Sequence, residues 1–245
     1  MPETELFSIL DTVDSTNNYA MAAVHAGLAR HGMAWFAREQ TAGKGQRGKV
    51  WQSRPGQNIA LSIVLKPKSI FSANHFMLNA VVARECHRYF NEKAGGQISI
   101  KWPNDIYWRD RKAGGILIEN VFAAKTWKWA VAGIGLNINQ DHFHGSLRNV
   151  TSLGLITGKE WSPEHLAREL HERIIAAFAA VTAKDFDELL AYYNQHLFRK
   201  GETVKLKKDS ITFSTVIKSV NPFGQLLTQD AMERQFNFGE VEWVM

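Results

Sequence analysis

Short apolar runs dominate the first 138 residues of the chain, and each is bounded by Gly, Pro, Asn or Asp. Runs of this kind are typical of buried strands. The pattern predicts strands at residues 6–10, 33–37, 58–66, 98–102, 113–119 and 127–138. It also predicts one helix from the polar cluster at Asp14 to about Gly27 and a second from about Ser72 to Phe90. This part of the chain therefore predicts a sheet with flanking helices.

The period changes at Ser162, where apolar residues begin to recur every four positions. Ser162 has the residue type of an N-cap, and Pro163 fits the first helical position. The repeat predicts a long amphipathic helix, and residues 187–197 continue the helical pattern. From about residue 198 to Val244, closely spaced turn residues separate short strand-like segments. The C-terminal part therefore predicts a small all-β appendage, barrel-like in form.

The composition narrows the class of protein. The 245 residues are 45% hydrophobic and 22% charged, which is typical of a folded globular chain. The net charge of +5 is not gathered into long basic blocks, so it favours acidic ligands without indicating nucleic acid. Cys86 is the one cysteine, which excludes an intrachain disulfide and fits a reducing compartment. The sequence shows no signal-peptide pattern and no apolar run of the ~20 residues that span a membrane, so we expect a cytoplasmic protein with no membrane partner.

The segment Thr41–Trp51, hereafter the basic loop, alternates glycine with basic residues and ends in an indole. Glycines let backbone N–H groups approach an anion closely, and Lys44, Arg47 and Lys49 add cations around the same space. Trp51 offers a face on which a nucleotide base can stack. The segment indicates a binding loop for a triphosphate or another polyanion, and a mobile surface loop with solvated charges is the alternative.

The basic loop nearly matches the P-loop of nucleoside triphosphatases. Gly43, Gly48 and Lys49 fit the pattern G-x-x-x-x-G-K, but Val50 stands where a hydroxyl should reach Mg²⁺. Residues 51–56 are also a poor start for the helix that a P-loop requires. The sequence therefore disfavours a P-loop enzyme.

Metal and serine-hydrolase chemistry also fit poorly. The histidines are scattered, and His142 and His144 lack partners with the spacing of metal ligands. The chain contains no G-x-S-x-G segment that would present a nucleophilic serine.

Five separated segments carry the remaining polar, basic and glycine-rich positions. They are Asp14–Asn17, Gln40 with Gly43–Trp51, Lys101–Asp105 (KWPND), Lys112–Glu119 (KAGGILIE) and Gly133–Asn137 (GIGLN). In this order and spacing they resemble the biotin protein ligases, also called biotin–[acetyl-CoA-carboxylase] ligases. The resemblance covers roughly the first two-thirds of the chain, and the small β-rich C-terminus also fits the family.

The resemblance implies an α+β fold. Its catalytic domain would resemble class II aminoacyl-tRNA synthetases, with a mixed or antiparallel sheet and flanking helices, and a small SH3-like β-barrel would follow. We place the biotin- and ATP-binding catalytic domain at residues 1–198 and the small C-terminal domain at residues 199–245. Some members carry an N-terminal winged helix-turn-helix; here the first matching segment begins almost at the first residue, so we expect no sequence-specific DNA binding.

The resemblance also implies a reaction. Biotin would be attached, at the expense of ATP, to one lysine of a biotin carboxyl carrier protein or domain of acetyl-CoA carboxylase or a related carboxylase. The biotin carboxylate attacks the α-phosphate to give biotinyl-5′-AMP and pyrophosphate, and the carrier lysine then displaces AMP. Mg²⁺ would accompany ATP, and we assign no metal ligand among the protein side chains. Preorganised cations and N–H donors suit this phosphoryl chemistry.

Site residues follow from the matching motif positions. Lys112, Arg47 and Asp105 are the candidate catalytic residues; Asp105 would orient the acceptor amine, and a role as general base is the alternative. The candidate biotin-binding residues are Ser15, Thr16, Gln40, Gly43, Lys44, Gly45, Lys112 and Gly115. The candidate residues for ATP or the adenylate are Lys44, Arg47, Lys49, Trp51, Asn104, Lys112 and Asn137.

The chain departs from the family at the basic loop. Lys44 and Lys49 stand where arginine is common, and Gln46 stands where some members have a basic residue. Lysine keeps the charge but loses the bidentate fork of arginine, so we expect a differently aimed phosphate contact.

Two other functions stay open at this point. A lipoate–protein ligase shares the fold and the adenylate chemistry, although the chain has no Arg-Arg-x-Ser-Gly-Gly-Gly-type signature. A non-catalytic regulator that binds biotin or the adenylate is the second. The family includes monomers and dimers, so a homodimer is also an open alternative.

Overall fold

Seven strands form the first sheet, and their order in space differs from their order in the chain. The computed structural model describes residues 6–143 and 149–244. The strands are β1 (Phe7–Val13), β2 (Ala34–Gln40), β3 (Asn58–Leu65), β4 (Ile98–Lys101), β5 (Asp105–Trp108), β6 (Arg111–Ala123) and β7 (Thr126–Asn137). Their order in the sheet is β1-β2-β3-β7-β6-β5-β4. Strands β1 and β2 are parallel and the other neighbours are antiparallel, so the sheet is mixed, as predicted.

The helices flank this sheet. They are α1 (Thr16–His25), α2 (His75–Ala94), α3 (Leu153–Thr157), α4 (Pro163–Ala180) and α5 (Phe186–Gln195). Helix α4 begins as predicted, because the Ser162 side chain accepts a hydrogen bond from the backbone N–H of His165 at 3.3 Å. Helix α3 was not predicted, since five residues are too few to show a helical period.

Strand β3 lies in the middle of the protein and is buried on both faces. Its odd-numbered residues from Ile59 to Leu65 belong to the large core beneath α2 and α4. On the opposite face, Val64 packs with Ala20 and Val24 of α1. Helix α1 has only ten residues and so covers only part of that face. The uncovered part, toward Asn58, is where the cavity described below opens.

The second sheet is antiparallel and small. Its strands are β8 (Thr203–Lys208), β9 (Ile211–Val220), β10 (Leu226–Gln229), β11 (Glu233–Phe236) and β12 (Glu242–Val244). Their order is β11-β10-β9-β8-β12, so the two outer strands do not pair with each other within the described residues. The predicted α+β class with a small all-β C-terminal unit is confirmed, but no strand pairing closes these five strands into a barrel. The division into domains at residue 198 stays a prediction.

Hydrogen bonds attach the second sheet to the first part of the chain. The Trp102 indole N–H donates to the Gly224 carbonyl at 2.8 Å. The Asn194 carboxamide both donates to the Val220 carbonyl and accepts from the Val220 N–H. These contacts bring β12 next to the ends of β4 and β5.

Strand β5 is the element of the first sheet that the sequence did not predict. It is four residues long, begins with Asp105 directly after Pro103 and Asn104, and runs into a charged turn. Polar neighbours of this kind are typical of loops, so local pattern alone favours a turn. Pairing with β4 on one side and β6 on the other makes these residues a strand.

No helix within residues 6–143 and 149–244 combines the length and the apolar character that a membrane span requires.

His87 joins α2 to β4 and α5 and is 2% exposed. One ring nitrogen lies 3.0 Å from the Ile98 carbonyl oxygen and the other 2.7 Å from the Tyr192 hydroxyl. Burial, with a smaller effect of His196, lowers the pKa of His87 from 6.5 to about 4. Between pH 6.5 and pH 4 the unfolded chain therefore binds a proton that the folded chain does not, and stability falls as the pH falls through this window.

We expect this single group to remove up to about 3 kcal/mol of the free energy of unfolding between pH 6.5 and pH 4. Urea unfolding of wild type and His87→Gln across this range measures the effect, and the variant should show the shallower dependence. His25→Gln at the exposed end of α1 is the matched control and should behave as wild type. An equal slope in wild type and His87→Gln would contradict the assignment.

Candidate functional site

A cavity of about 480 Å³ opens on the face of the first sheet that α1 leaves uncovered. Its walls come from the start of α1, the basic loop, the turn between β4 and β5, strands β6 and β7, and residues 238–243 before and within β12. These segments lie far apart in the chain. The sheet and its attached C-terminal unit bring them to one place.

A network of buried polar side chains forms one part of the wall. The N–H and the hydroxyl of Thr16 both donate to the Gln40 side-chain oxygen, at 2.8 and 3.1 Å. The Ser62 hydroxyl lies 2.8 Å from the Thr16 hydroxyl and 2.6 Å from the Asn17 side-chain oxygen. Ser15 is buried beside them. Because buried polar groups are costly unless hydrogen-bonded, these contacts hold the side chains in fixed positions. Ser15, Thr16, Asn17, Gln40 and Ser62 thus form a polar recess in the cavity wall, hereafter the recess. It suits a small, neutral ligand with its own hydrogen-bond donors and acceptors.

Asn17 was not among the predicted site residues, although it lies in the first matching segment. Its carboxamide N–H donates to Glu119 of β6 at 2.7 Å. A Cβ at Gly133 of β7 would clash with the Asn17 side-chain oxygen. Gly133 is therefore the residue that lets Asn17 lie against the sheet.

Trp51, at the end of the basic loop, lies against strand β7. A Cβ at Gly135 would lie only 2.6 and 2.7 Å from Cε2 and Cζ2 of the indole, so the ring rests on the bare backbone of that strand. The indole Nε1 is buried without a hydrogen-bond partner in the described part of the chain. Trp51 thus presents an aromatic surface and a donor beside the cavity.

The basic loop folds back on itself. Lys44 and Val50 form an antiparallel bridge, and the Gly45 N–H donates to the Lys49 carbonyl at 2.7 Å. Gly43 lies buried at its base, where a Cβ would clash with the carbonyl of Trp51. The glycines therefore permit a tight hairpin that carries exposed basic side chains.

Arg47 occupies the tip of this hairpin. Its φ of 54° is in the left-handed region, and its side chain is exposed. A Cβ at Gly239 would lie 3.6 Å from the guanidinium carbon, so the arginine reaches the segment before β12. The tip of the loop thus lies next to the C-terminal unit.

Lys112 and Asp105 form an ion pair at the cavity surface. Nζ of Lys112 lies 2.8 Å from Oδ1 of Asp105, and the two side chains are 31% and 26% exposed. A Cβ at Gly115 would lie 3.0 Å from the carboxylate and 3.4 Å from the ammonium, so this glycine leaves room for the pair. The same ammonium lies 5.9 Å from the centre of the Trp51 ring. Partly exposed pairs contribute little to stability, so this one is better explained by its place in the site.

Two buried asparagines hold the ends of strands. The Asn104 carboxamide donates to the Ile116 carbonyl, and the Asn137 carboxamide donates to the Thr151 carbonyl at 2.9 Å. Both side chains are 3% exposed. They anchor the cavity walls, and their direct contact with a nucleotide stays a prediction.

The charge of the cavity is strongly positive. The cationic residues among those that line it are Lys44, Arg47, Lys49, Lys101 and Lys112, against the two carboxylates of Asp105 and Glu242. Such a balance attracts polyanions. The described residues contain no group of three or more His, Cys, Asp or Glu side chains that could hold a metal ion, and His144 lies outside the described residues.

The structure brings the predicted site residues together. Those that line the cavity are Ser15, Thr16, Gln40, Lys44, Gly45, Arg47, Lys49, Trp51, Asn104, Asp105, Lys112, Gly115 and Asn137. Gly43 lies just behind them, at the base of the basic loop. Their individual roles stay predictions.

Several lining residues were missed by sequence reasoning. Besides Asn17, Gly133 and Gly135, the cavity is lined by Lys101, Tyr107, Phe238 and Trp243. The pattern Gly-x-Gly within a predicted strand is the signal that could have identified the two glycines, since it leaves one face of the strand bare. Phe238 and Trp243 carry no local signal, because only docking of the second sheet places them here.

Comparison with known proteins identifies the family and the relatives of this chain. The model of the biotin/lipoate A/B protein ligase family matches residues 9–137. The bifunctional ligase/repressor BirA of Bacillus spizizenii is 33% identical over 153 residues, 61% of this chain and 46% of the relative. The biotin–[acetyl-CoA-carboxylase] ligase of Paracoccus denitrificans is 35% identical over 133 residues, 53% of each chain. The chain spans about half the length of the curated relatives it matches.

Solved structures extend the likeness over nearly the whole chain. The biotin protein ligase from Aquifex aeolicus in complex with biotin and ATP has a TM-score of 0.81 and 26% identity, and the match covers 98% of each chain. The Leishmania major enzyme in complex with biotinyl-5-AMP has a TM-score of 0.69 at 21% identity, which shows a shared fold. The second sheet is included in both matches, since they cover 98% and 96% of this chain.

Proposed function

Because the chain belongs to the biotin/lipoate A/B protein ligase family, we propose that it attaches biotin to a lysine of a biotin carboxyl carrier protein or domain. ATP is the second substrate and biotinyl-5′-AMP the intermediate. The observation that carries this proposal is that the neutral, hydrogen-bonding recess and a strongly cationic rim belong to one cavity. The rim consists of Lys44, Arg47 and Lys49 of the basic loop. A substrate with a neutral polar head and a carboxylate, together with a nucleoside triphosphate, matches both parts.

The recess selects biotin over lipoate. The ureido ring of biotin has two N–H donors and a carbonyl acceptor, which match the side chains of Thr16, Gln40 and Asn17. The dithiolane ring of lipoate offers no comparable hydrogen bonds and would leave buried polar groups without new partners. Sites built to bind polar groups discriminate strongly against ligands that lack them.

The cationic rim binds the nucleotide. Lys44, Arg47 and Lys49 surround the space in front of Trp51, whose ring lies on Gly135. Preorganised cations stabilise the negative charge that develops on a transferring phosphoryl group. We assign the adenine to the Trp51 side and the phosphates to the cationic side.

Lys112 lines the same cavity, and we assign it to the point where the biotin carboxylate and the α-phosphate meet. Its ammonium neutralises both anions during attack, and pyrophosphate leaves. Further phosphate charge would be neutralised by the Mg²⁺ that accompanies ATP. Among the described residues that line the cavity, Asp105 and Glu242 are the carboxylates, so a magnesium ion here would be held mainly by the phosphates.

Asp105 serves the second half-reaction. Its carboxylate lies at the cavity surface next to the Lys112 ammonium, where an incoming lysine can be oriented by charge. The acceptor belongs to acetyl-CoA carboxylase or a related carboxylase, and the reaction takes place in the cytoplasm. The absence of sequence-specific DNA binding and the oligomeric state stay expectations from the sequence.

The test is biotin incorporation into a carrier domain in the presence of ATP and Mg²⁺, followed by mass spectrometry. We expect one biotin per carrier, none without ATP, and none on a carrier whose acceptor lysine is replaced by arginine. Parallel calorimetry with biotin and lipoate should show heat of binding for biotin alone. No incorporation beside an active control ligase would refute the proposal, and ATP–pyrophosphate exchange without transfer would indicate a regulator that stops at the adenylate.

A further inference from the structure

Lys101 is a buried cation to which the proposed reaction has assigned no role. It ends β4, lines the cavity, and is only 7% exposed. Taking an ammonium out of water is unfavourable unless other groups replace its hydration. Its surroundings therefore require a physical explanation.

Aromatic rings from three segments enclose the Lys101 ammonium. Nζ donates to the Tyr107 hydroxyl at 3.1 Å and lies 4.7 Å from the centre of the same ring. It also lies 5.0 Å from the ring of Trp243 in β12 and 5.6 Å from that of Phe198, which follows α5. Attraction between a cation and ring faces is strongest in sites shielded from water. The cage thus fixes the ammonium in place where the two sheets meet.

Lys101 is the cross-strand neighbour of Asp105. Lys101 and Asp105 are directly opposite each other in the pairing of β4 with β5, on either side of the turn formed by residues 102–104. Their electrostatic attraction is strong enough to oppose the effect of burial on the lysine. Asp105 therefore interacts with two cations, Lys112 in direct contact at 2.8 Å and Lys101 across the strand pair.

The two cations differ in mobility. The Lys112 side chain is 31% exposed and lies at the cavity surface, so it can turn toward a bound anion. Lys101 is held by Tyr107, Phe198 and Trp243 and cannot follow. When Lys112 binds the adenylate, Lys101 is the cation that remains opposite Asp105 in the strand pair.

We propose that Lys101 is a positioning residue for the transfer of biotin to the acceptor: it holds the Asp105 carboxylate oriented while Lys112 binds the adenylate. In this step the acceptor amine forms a C–N bond to the biotinyl carbonyl carbon. The bond from that carbon to the phosphate oxygen breaks, AMP leaves with the electron pair, and one proton passes from the amine to solvent. Lys101 acts only through Asp105, and the inference rests on the proposed function.

The charges around Lys101 agree with this role. Burial is the main cause that lowers its pKa to about 8, and Asp105 opposes that effect. Lys112 of β6, Lys49 of the basic loop and Arg199 after α5 lower it further. Trp243 of β12 and Phe198 face it with uncharged rings, and the carboxylate residue Glu242 of β12 lines the same cavity. At neutral pH the lysine is therefore mainly the ammonium that the proposal requires.

The two half-reactions must be measured separately to test this. Adenylate formation is followed as pyrophosphate release, and transfer as a single turnover from added biotinyl-5′-AMP to a carrier domain. Lys101→Met fills the aromatic cage without the charge, and Lys101→Arg restores the charge. We expect Lys101→Met to slow transfer at pH 7 by about tenfold or more, and adenylate formation by much less. Lys101→Arg should recover most of the transfer rate.

A double-mutant cycle with Asp105→Asn separates an effect that acts through Asp105 from a general disruption of the structure. In the Asp105→Asn background, Lys101→Met should slow transfer no further. If Lys101→Met folds poorly, Lys101→Gln is measured in the same cycle. Equal losses in both half-reactions, no rescue by Lys101→Arg, or additive effects in the cycle would each overturn the inference. If wild type itself forms no adenylate, the proposed function fails, and that result is distinct from these.

Discussion

Replacing Lys112 with alanine is expected to reduce adenylate formation by about 100- to 1000-fold, the range found when one preorganised charge-stabilising donor is removed from an active site. In the proposed function its ammonium neutralises both the biotin carboxylate and the α-phosphate, and it contacts Asp105 at 2.8 Å. Biotin binding should weaken far less, because the recess that holds the ureido ring is built from other side chains. Pyrophosphate release and calorimetry with biotin measure the two effects independently.

Arg111→Ala is the matched control for this variant. Arg111 precedes Lys112 on β6, is exposed, and packs its guanidinium 4.8 Å from the ring of Trp108, away from the cavity lining. The Arg111→Ala substitution removes the same positive charge one residue away. It should leave pyrophosphate release and biotin binding nearly unchanged. If Lys112→Ala weakens biotin binding as much as it slows adenylate formation, then Lys112 serves mainly to hold biotin.

The second large effect is expected from a single methyl group. Gly135→Ala places a Cβ within 2.6 to 2.7 Å of two carbons of the Trp51 ring, so the ring must lift by about 1 Å to reach ordinary contact distance. Loss of the aromatic surface should raise KM for ATP by about tenfold or more, since stacking of a base on an aromatic side chain is worth about 1–3 kcal/mol. Biotin affinity should stay within about twofold of wild type, because Thr16, Gln40 and Asn17 are not displaced.

The Trp51→Ala background tests this mechanism directly. Without the ring, the added methyl group has nothing to displace, so Gly135→Ala should then change KM for ATP hardly at all. A loss that persists in that background would show that Gly135 matters through the strand itself. Circular dichroism of all four proteins should show that the sheet remains folded.

The sequence predicted most of the long elements because their apolar pattern and their final environment agree. Strand β3 is a mostly apolar run and is buried on both faces, and α4 shows both a cap and a four-residue repeat. The pattern failed for β5 and α3, since four or five residues carry too little periodicity to outweigh polar neighbours. Those elements depend on pairing and packing with distant parts of the chain.

The candidate site, like the fold, was predictable from the sequence in part. By itself, the sequence supplied the chemistry: a glycine-rich basic loop, polar residues at the start of α1, and a lysine before two glycines on β6. Their order and spacing indicated the family, which the family model and the fold confirm. Residue type and local order were sufficient for this because each motif is contained in a short segment.

Only the tertiary structure determined how these groups act on one another. The sheet places Gly133 beneath Asn17 and Gly135 beneath Trp51, and the second sheet brings Trp243 over Lys101. Such contacts join residues up to 142 positions apart, and they depend on strand order, strand register and docking, which no local pattern encodes. The basic loop was recognisable from its own residues; its place between a polar recess and a caged lysine follows from the packing of the whole chain.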